Sequence, residues 1–438
     1  MVPNTPAEPA ARARRVEVLE TVSRYLPPRS FSVKALNAVG RLLRAVGVSA
    51  ARLDEGWLLG RAARNAGLSD FGDEAFREPL RRVLRAYEEE SRLTLVGRII
   101  AQRDTLRILE NRLHLIEARK RHPEMADAPI REPVFVVGLP RTGSTALHEL
   151  LAQDPENRVP MTWEVMWPWP FPEAASYHSD RRIAKADRYL RATDQLIPGF
   201  KKMHRMGAEL PQECCMLMNH DFMSMQLHTS NRIPSFQDWM DQQDMTPIYA
   251  SHRRQLQHLQ LRCPVKRGWV LKSPQHLWSL DALLAVYPDA RIVQTHRDPV
   301  KVAASLSSLV SLLRGMGSDQ VDPGEVGADW TRRLVEGLSR ATAVRDRLEL
   351  GESRVFDVHF RDFLADPLEM VRRIYSNFGM ELGAEAERRM RRFLAMHPQN
   401  EHGRHEYALK GAGLDLETER DRFEAYQKRF DIPSEITG

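Results

Sequence analysis

The stretch Val134-Phe-Val-Val-Gly138-Leu-Pro140-Arg141-Thr142-Gly143-Ser144-Thr145 decides the fold. Four consecutive apolar residues between Pro133 and Gly138 read as a strand covered on both faces, the habit of parallel sheets. Gly138 and Gly143 have the spacing of G-x-x-x-x-G-K-[ST] loops, in which successive backbone N–H groups point at an anion. A helix is expected to open at Ser144 and run to Ala152, which puts the loop at a helix N-terminus. Ser144 stands where such loops carry Lys. Arg141, inside the loop, offers a permanent charge and a planar fork suited to an oxyanion. A plain strand-turn-helix connection would account for the glycines and Pro140, but not for Arg-Thr-Gly-Ser-Thr behind a buried strand.

Outward from the loop the same pattern recurs. Trp269-Val270-Leu271, Ile292-Val293 and Val355 to Val358 are short apolar runs, each followed by a helical stretch: His276 to Val286, Val300 to Leu313 and Pro367 to Phe378. These are βα units, and the fold class they predict is α/β, a P-loop-like parallel sheet flanked by helices. Ahead of it, residues 1–125 read as an α-helical N-terminal region. Val16, Leu19, Val22 and Leu26 have helical spacing, and a long helical run extends from Phe76 to Ile116. The α/β domain occupies 130–438, with two polar helices after Phe378, the last from Leu416 to Phe430.

Between about 163 and 245 lies a stretch unlike the rest, WEVMWPWPFP followed by Met203, Met206, Met216, Met218, Met223 and Met225. It reads as an inserted cap. Such side chains can line an adaptable apolar cleft, although at these spacings plain core is the commoner outcome.

The chain's 438 residues suit one large α/β domain with an appendage, and 42% hydrophobic with 28% charged residues excludes collagen-like and disordered classes. A net charge of +5 favours anionic small ligands over a dedicated nucleic-acid surface. Cys214, Cys215 and Cys263 make no disulfide framework or zinc spacing, which fits a reducing cytoplasm. The N-terminus has no secretory apolar segment, and no run approaches a membrane span.

A second constellation is Arg291-Ile-Val-Gln-Thr-His-Arg297-Asp-Pro299 through Ser305. Arg297 falls at a strand's end and Ser305 on the following helix, where both can share a phosphate outside the carboxyl ends of the strands. The bland reading is that Asp298-Pro299 starts a helix and Ser305 is a surface residue. A Mg-dependent nucleotide enzyme would want the loop Lys and a strand ending in Asp for the metal, and neither is evident.

With these motifs in order, the chain resembles sulfotransferases that use 3′-phosphoadenosine 5′-phosphosulfate (PAPS), of a bacterial branch similar to tyrosylprotein sulfotransferases, over roughly residues 130 to 430. The resemblance implies that the loop of Gly138, Pro140, Arg141, Thr142, Gly143, Ser144 and Thr145 holds the 5′-phosphosulfate, and that Arg297 and Ser305 hold the 3′-phosphate. Trp269-Val-Leu-Lys272-Ser-Pro274 resembles the family segment whose Lys approaches the sulfate and its bridging oxygen. It implies in-line transfer from PAPS, with PAP as product and no metal. A sulfuryl group carries less negative charge than a γ-phosphoryl group, so Arg, Lys and N–H donors suffice.

The attacking hydroxyl needs a general base. In the tyrosylprotein branch this is a Glu some twenty residues after the loop Arg, and Glu164, 23 positions after Arg141, is the match here. His276, four residues after Lys272, is the rival, since soluble sulfotransferases often use His. Structurally, Glu164 could instead be an ion-pair partner and His276 a capping or core residue. Arg404 and Lys410 resemble the family's cofactor-covering segment, with a solvated basic loop as the equal alternative.

The implied reaction is sulfuryl transfer to a hydroxyl of an apolar or amphipathic, small-molecule or lipid-like acceptor, without nucleic acid or a transmembrane segment and compatible with a homo-oligomer. The competing readings are a non-catalytic nucleotide- or anion-binding protein of the same fold, and a Mg-dependent small-molecule kinase.

Overall fold

The structure, a computed structural model, describes residues 29–47, 50–197, 200, 205–397 and 409–436. Its first helices are α1 (Phe31–Ala45), α2 (Glu55–Ala66), α3 (Arg77–Glu89) and α4 (Leu95–Arg121). The helix expected around Val16 to Leu26 lies outside the described residues. The run expected to be continuous from Phe76 to Ile116 is broken between α3 and α4. There the Thr94 hydroxyl accepts from the Gly97 N–H at 3.2 Å, a side-chain cap that opens a new helix.

The sheet begins with β1 (Val134–Gly138), buried along its length, followed by α5 (Ser144–Leu151) and the two-residue edge strand β2 (Asn157–Arg158). Between β2 and the next strand the chain is helical: α6 (Thr162–Met166), α7 (Arg181–Leu196), α8 (Cys214–Met218), α9 (Met225–Ser230), α10 (Pro234–Met240) and α11 (Thr246–Gln260). Then come β3 (Gly268–Lys272), α12 (Leu280–Val286), β4 (Arg291–His296), α13 (Pro299–Gly317) and α14 (Pro323–Arg347). The chain closes with β5 (Val355–His359), α15 (Phe360–Ala365), α16 (Pro367–Asn377), α17 (Ala384–Met396) and α18 (Leu416–Arg429). The helix expected from His276 is instead a 3₁₀ turn over Pro274–Trp278, capped by Ser273, and then α12.

All strand pairs are parallel, in the order β2-β3-β1-β4-β5. Because side chains alternate across the strands, Phe135, Leu271 and Ile292 project to one face and Val134, Val136, Val270, Val293 and Val358 to the other. The second face is covered by Leu147 and Leu150 of α5 and by Val371 and Ile374 of α16. The first belongs to a continuous apolar cluster with Leu58, Leu80, Leu109 and Leu113 of the N-terminal helices and Met218, Phe222 and Phe236 of the insert. The insert's methionines 218, 223 and 225 are buried core. No helix among the described residues is long and apolar enough to cross a membrane.

The register sets the site. Val136 lies beside Lys272, Gly138 beside Thr295, and His296 beside His359, so the carboxyl ends of β1, β3, β4 and β5 finish together.

Candidate functional site

At the end of β1 the backbone turns through Gly138 at φ +153°, where a Cβ would lie 2.2 Å from Thr295 Oγ1. Only glycine fits that approach. Thr142, buried in the loop, donates to Leu139 O at 2.7 Å and meets Thr295 Oγ1 at 2.6 Å, pinning the loop to β4. Arg141 and Gly143 are left-handed, at φ +70° and +84°. A non-glycine residue in that region is strained. Here the turn keeps the Arg141 side chain on the side of β4, where its Nε donates to Ser305 Oγ at 3.2 Å. Ser305 is on α13, after β4, as the sequence placed it. Arg297 donates from Nη1 to Arg141 O at 3.0 Å and lies over the Phe360 ring at 4.1 Å. Arg141, Ser305 and Arg297 thus form one group.

A second group adjoins it. Lys272, at the end of β3 and almost wholly buried, donates from Nζ to Thr145 Oγ1 at 3.1 Å, and it forms an ion pair with Glu213. Glu213 immediately precedes α8, and about a fifth of its side chain is exposed. Behind it Cys214 and Cys215 are fully buried free thiols, which burial makes harder to ionise. The insert therefore delivers a carboxylate to the mouth of the loop. Among the residues proposed from sequence Glu213 has no counterpart, and nothing in Gln212-Glu-Cys-Cys-Met distinguishes it from the insert's other acids. Its partner identifies it, and that requires the fold.

Glu164 is a correction to the sequence reading. It is completely buried on α6, and Arg158 Nη1 and Nη2 donate to its Oε1 and Oε2 at 2.8 Å each. Oε1 also accepts from the Met161 N–H at 2.8 Å and the Tyr177 hydroxyl at 3.2 Å. Three donors thus converge on Oε1 and one on Oε2, and no part of the side chain is exposed. These bonds tie the start of α6 to the edge strand β2 through Arg158.

His276 is likewise a buried residue. Its ring is fully buried, edge-on to Phe135 at 5.1 Å, with Nδ1 2.7 Å from the Tyr249 hydroxyl. Burial pushes its pKa well below the ordinary value, so the ring is a neutral core group. Arg404 lies outside the described residues. Lys410 is on a short 3₁₀ turn (Leu409–Ala412), its side chain outside the described part.

Cationic and hydroxyl donors thus converge at the strand ends: Arg141, Arg297, Lys272, Ser305 and Thr145, with the start of α5 among them. This donor set suits a polyanion such as a phosphosulfate with a second phosphate. The Glu213 carboxylate sits at its edge, on Lys272.

Comparisons with known proteins agree with this chemistry. The model of the sulfotransferase family matches residues 133–384. The chain is 25% identical over 283 residues to the omega-hydroxy-beta-dihydromenaquinone-9 sulfotransferase Stf3 of Mycobacterium bovis, covering 60% of this chain and 67% of that one. Among solved structures, sulfotransferase STF1 from Mycobacterium tuberculosis superposes with a TM-score of 0.76 at 35% identity, covering 85% of this chain and 98% of STF1. STF9 from Mycobacterium avium superposes with a TM-score of 0.81 at 30% identity, over 89% of this chain and 100% of STF9.

Proposed function

The chain belongs to the sulfotransferase family, and from that premise we propose that it transfers the sulfuryl group of PAPS to the hydroxyl of a lipid-like acceptor, with Glu213 as general base. The observation that carries the proposal is the Lys272–Glu213 pair at the loop mouth, one side chain suited to the leaving oxygen and the other to the incoming hydroxyl. The relative named for a hydroxylated menaquinone supports the acceptor class. The insert, by supplying Glu213, supports a role for residues 163–245 in receiving the acceptor.

In this reading the loop N–H groups, Arg141, Ser144 and Thr145 hold the 5′-phosphosulfate, and Arg297 with Ser305 holds the 3′-phosphate. Glu213 takes the proton of the acceptor hydroxyl as its oxygen bonds to sulfur, and the bond from sulfur to the 5′-phosphate oxygen breaks. Lys272 and Arg141 neutralise the charge that collects on that oxygen. Lys272 is shared between Thr145 and Glu213, so drawing its ammonium toward an anion frees the carboxylate to act as a base. The charges of Arg141, Lys272 and Arg297 are what make a divalent ion dispensable in this scheme.

Glu213→Gln is the decisive variant. PAP should bind with near-wild-type affinity by calorimetry while sulfuryl transfer to a long-chain primary alcohol falls by about 10²–10⁴, the range of general-base catalysis. Turnover close to wild type would place the base elsewhere.

A further inference from the structure

The C-terminal segment reaches the arginine assigned above to the 3′-phosphate. Arg297 donates from Nε to Glu435 Oε1 at 2.8 Å and from Nη2 to Oε2 at 2.7 Å. Its other hydrogen bond, Nη1 to Arg141 O, faces the loop. The tail carboxylate therefore holds two guanidinium donors in the parallel, bidentate geometry that Arg also offers to phosphate.

The contact is built rather than incidental. The Glu435 N–H donates to Oδ2 of buried Asp298 at 2.7 Å, while Oδ1 of the same aspartate caps α13 through Val300 N. Ile436 O accepts from Arg420 Nη2 of α18 at 2.6 Å, and Ile432, buried, bonds back to Gln427 O at 2.9 Å. Helix α18 is fixed to the end of β4, where the Tyr426 hydroxyl lies 2.6 Å from His296 Nδ1 and Phe430 stacks on the same ring at 4.5 Å. Two residues of one strand end, His296 and Asp298, thus hold the tail so that its carboxylate reaches the residue between them.

We infer that Glu435 is an internal competitor for the donor's 3′-phosphate. It rests on the assignment of Arg297 to that phosphate. A carboxylate and a phosphate cannot share the same two N–H groups, and their like charges oppose one another at that distance. Donor and product each have to displace Glu435, so it lowers affinity for both and returns to hasten product release. A nucleotide without the 3′-phosphate does not meet it.

The test is calorimetric titration of the full chain with PAP and with adenosine 5′-phosphate. Glu435→Gln and Glu435→Ala should bind PAP about three- to tenfold tighter, the contribution of a partly exposed bidentate ion pair, with adenosine 5′-phosphate unchanged. In an Arg297→Ala background the gain should vanish. If Glu435 only orients Arg297, both variants bind PAP more weakly, and the inference is overturned. It is equally overturned if both nucleotides shift together. Arg297→Ala alone tests the parent assignment separately: loss for PAP and not for adenosine 5′-phosphate supports it, and equal loss for both removes it.

Discussion

Glu164 shows what a residue's neighbours in sequence conceal. Flanked by Trp163 and Val165, it reads as a candidate base, whereas Arg158, on the strand before it, pairs with both of its carboxylate oxygens. Glu164→Gln therefore leaves a buried guanidinium without its counter-charge. The expected outcome is a loss of about 3–5 kcal/mol in urea unfolding, with the donor loop itself intact in whatever fraction remains folded. A stable variant lacking only turnover would restore Glu164 as the base. The placement of the loop residues and of Arg297 and Ser305 was legible because it is local, fixed by strand-turn-helix spacing. Glu213 was not, since its meaning comes from Lys272, which the fold brings from β3.

At the scale of elements, the strands were legible because each buried parallel strand is a short apolar run between breakers, and β1, β3, β4 and β5 fall where those runs do. The edge strand β2 has two residues and no pattern to read. The break between α3 and α4 is made by the left-handed turn at Arg92 and the Thr94 cap, which a periodicity count passes over. One helix contact was also invisible: Gly97 of α4 lies against Gly317 at the end of α13, where a Cβ would come within 2.0 Å of Gly317 O. Alanine is the better helix former by about 1 kcal/mol. The clash is with backbone, which cannot swing aside, so Gly97→Ala should nonetheless destabilise by about 1–3 kcal/mol. A lowered urea midpoint at unchanged m-value checks it, and a raised midpoint would show that the helices separate freely.

Across the described residues, seven histidines are buried with their pKa pushed down. Burial pushes His148, His228 and His252 down to about 3 and His220 and His258 to about 4, His276 well below its ordinary value and His296 below it. The unfolded chain takes up protons on these rings near pH 6.5 while the folded chain does not, so stability is full above that pH and drains as pH falls toward 4. Each ring contributes up to about 1.4 kcal/mol per pH unit in that window. Thermal unfolding followed from pH 7.5 to 5 should show a steadily falling midpoint with net proton uptake on unfolding, and a flat profile would mean that these rings are protonated in place. The strand order has another consequence, one of timing. Val134 pairs with Val270 on one side and Arg291 on the other, so as the chain leaves the ribosome the Val-Phe-Val-Val segment waits without a neighbour until the whole insert has been synthesised. Pairings so distant along the chain close slowly, and an unpartnered apolar strand is an invitation to aggregate. The helices made before it, α2 to α4, share its eventual core and are the first surface on which it can shelter.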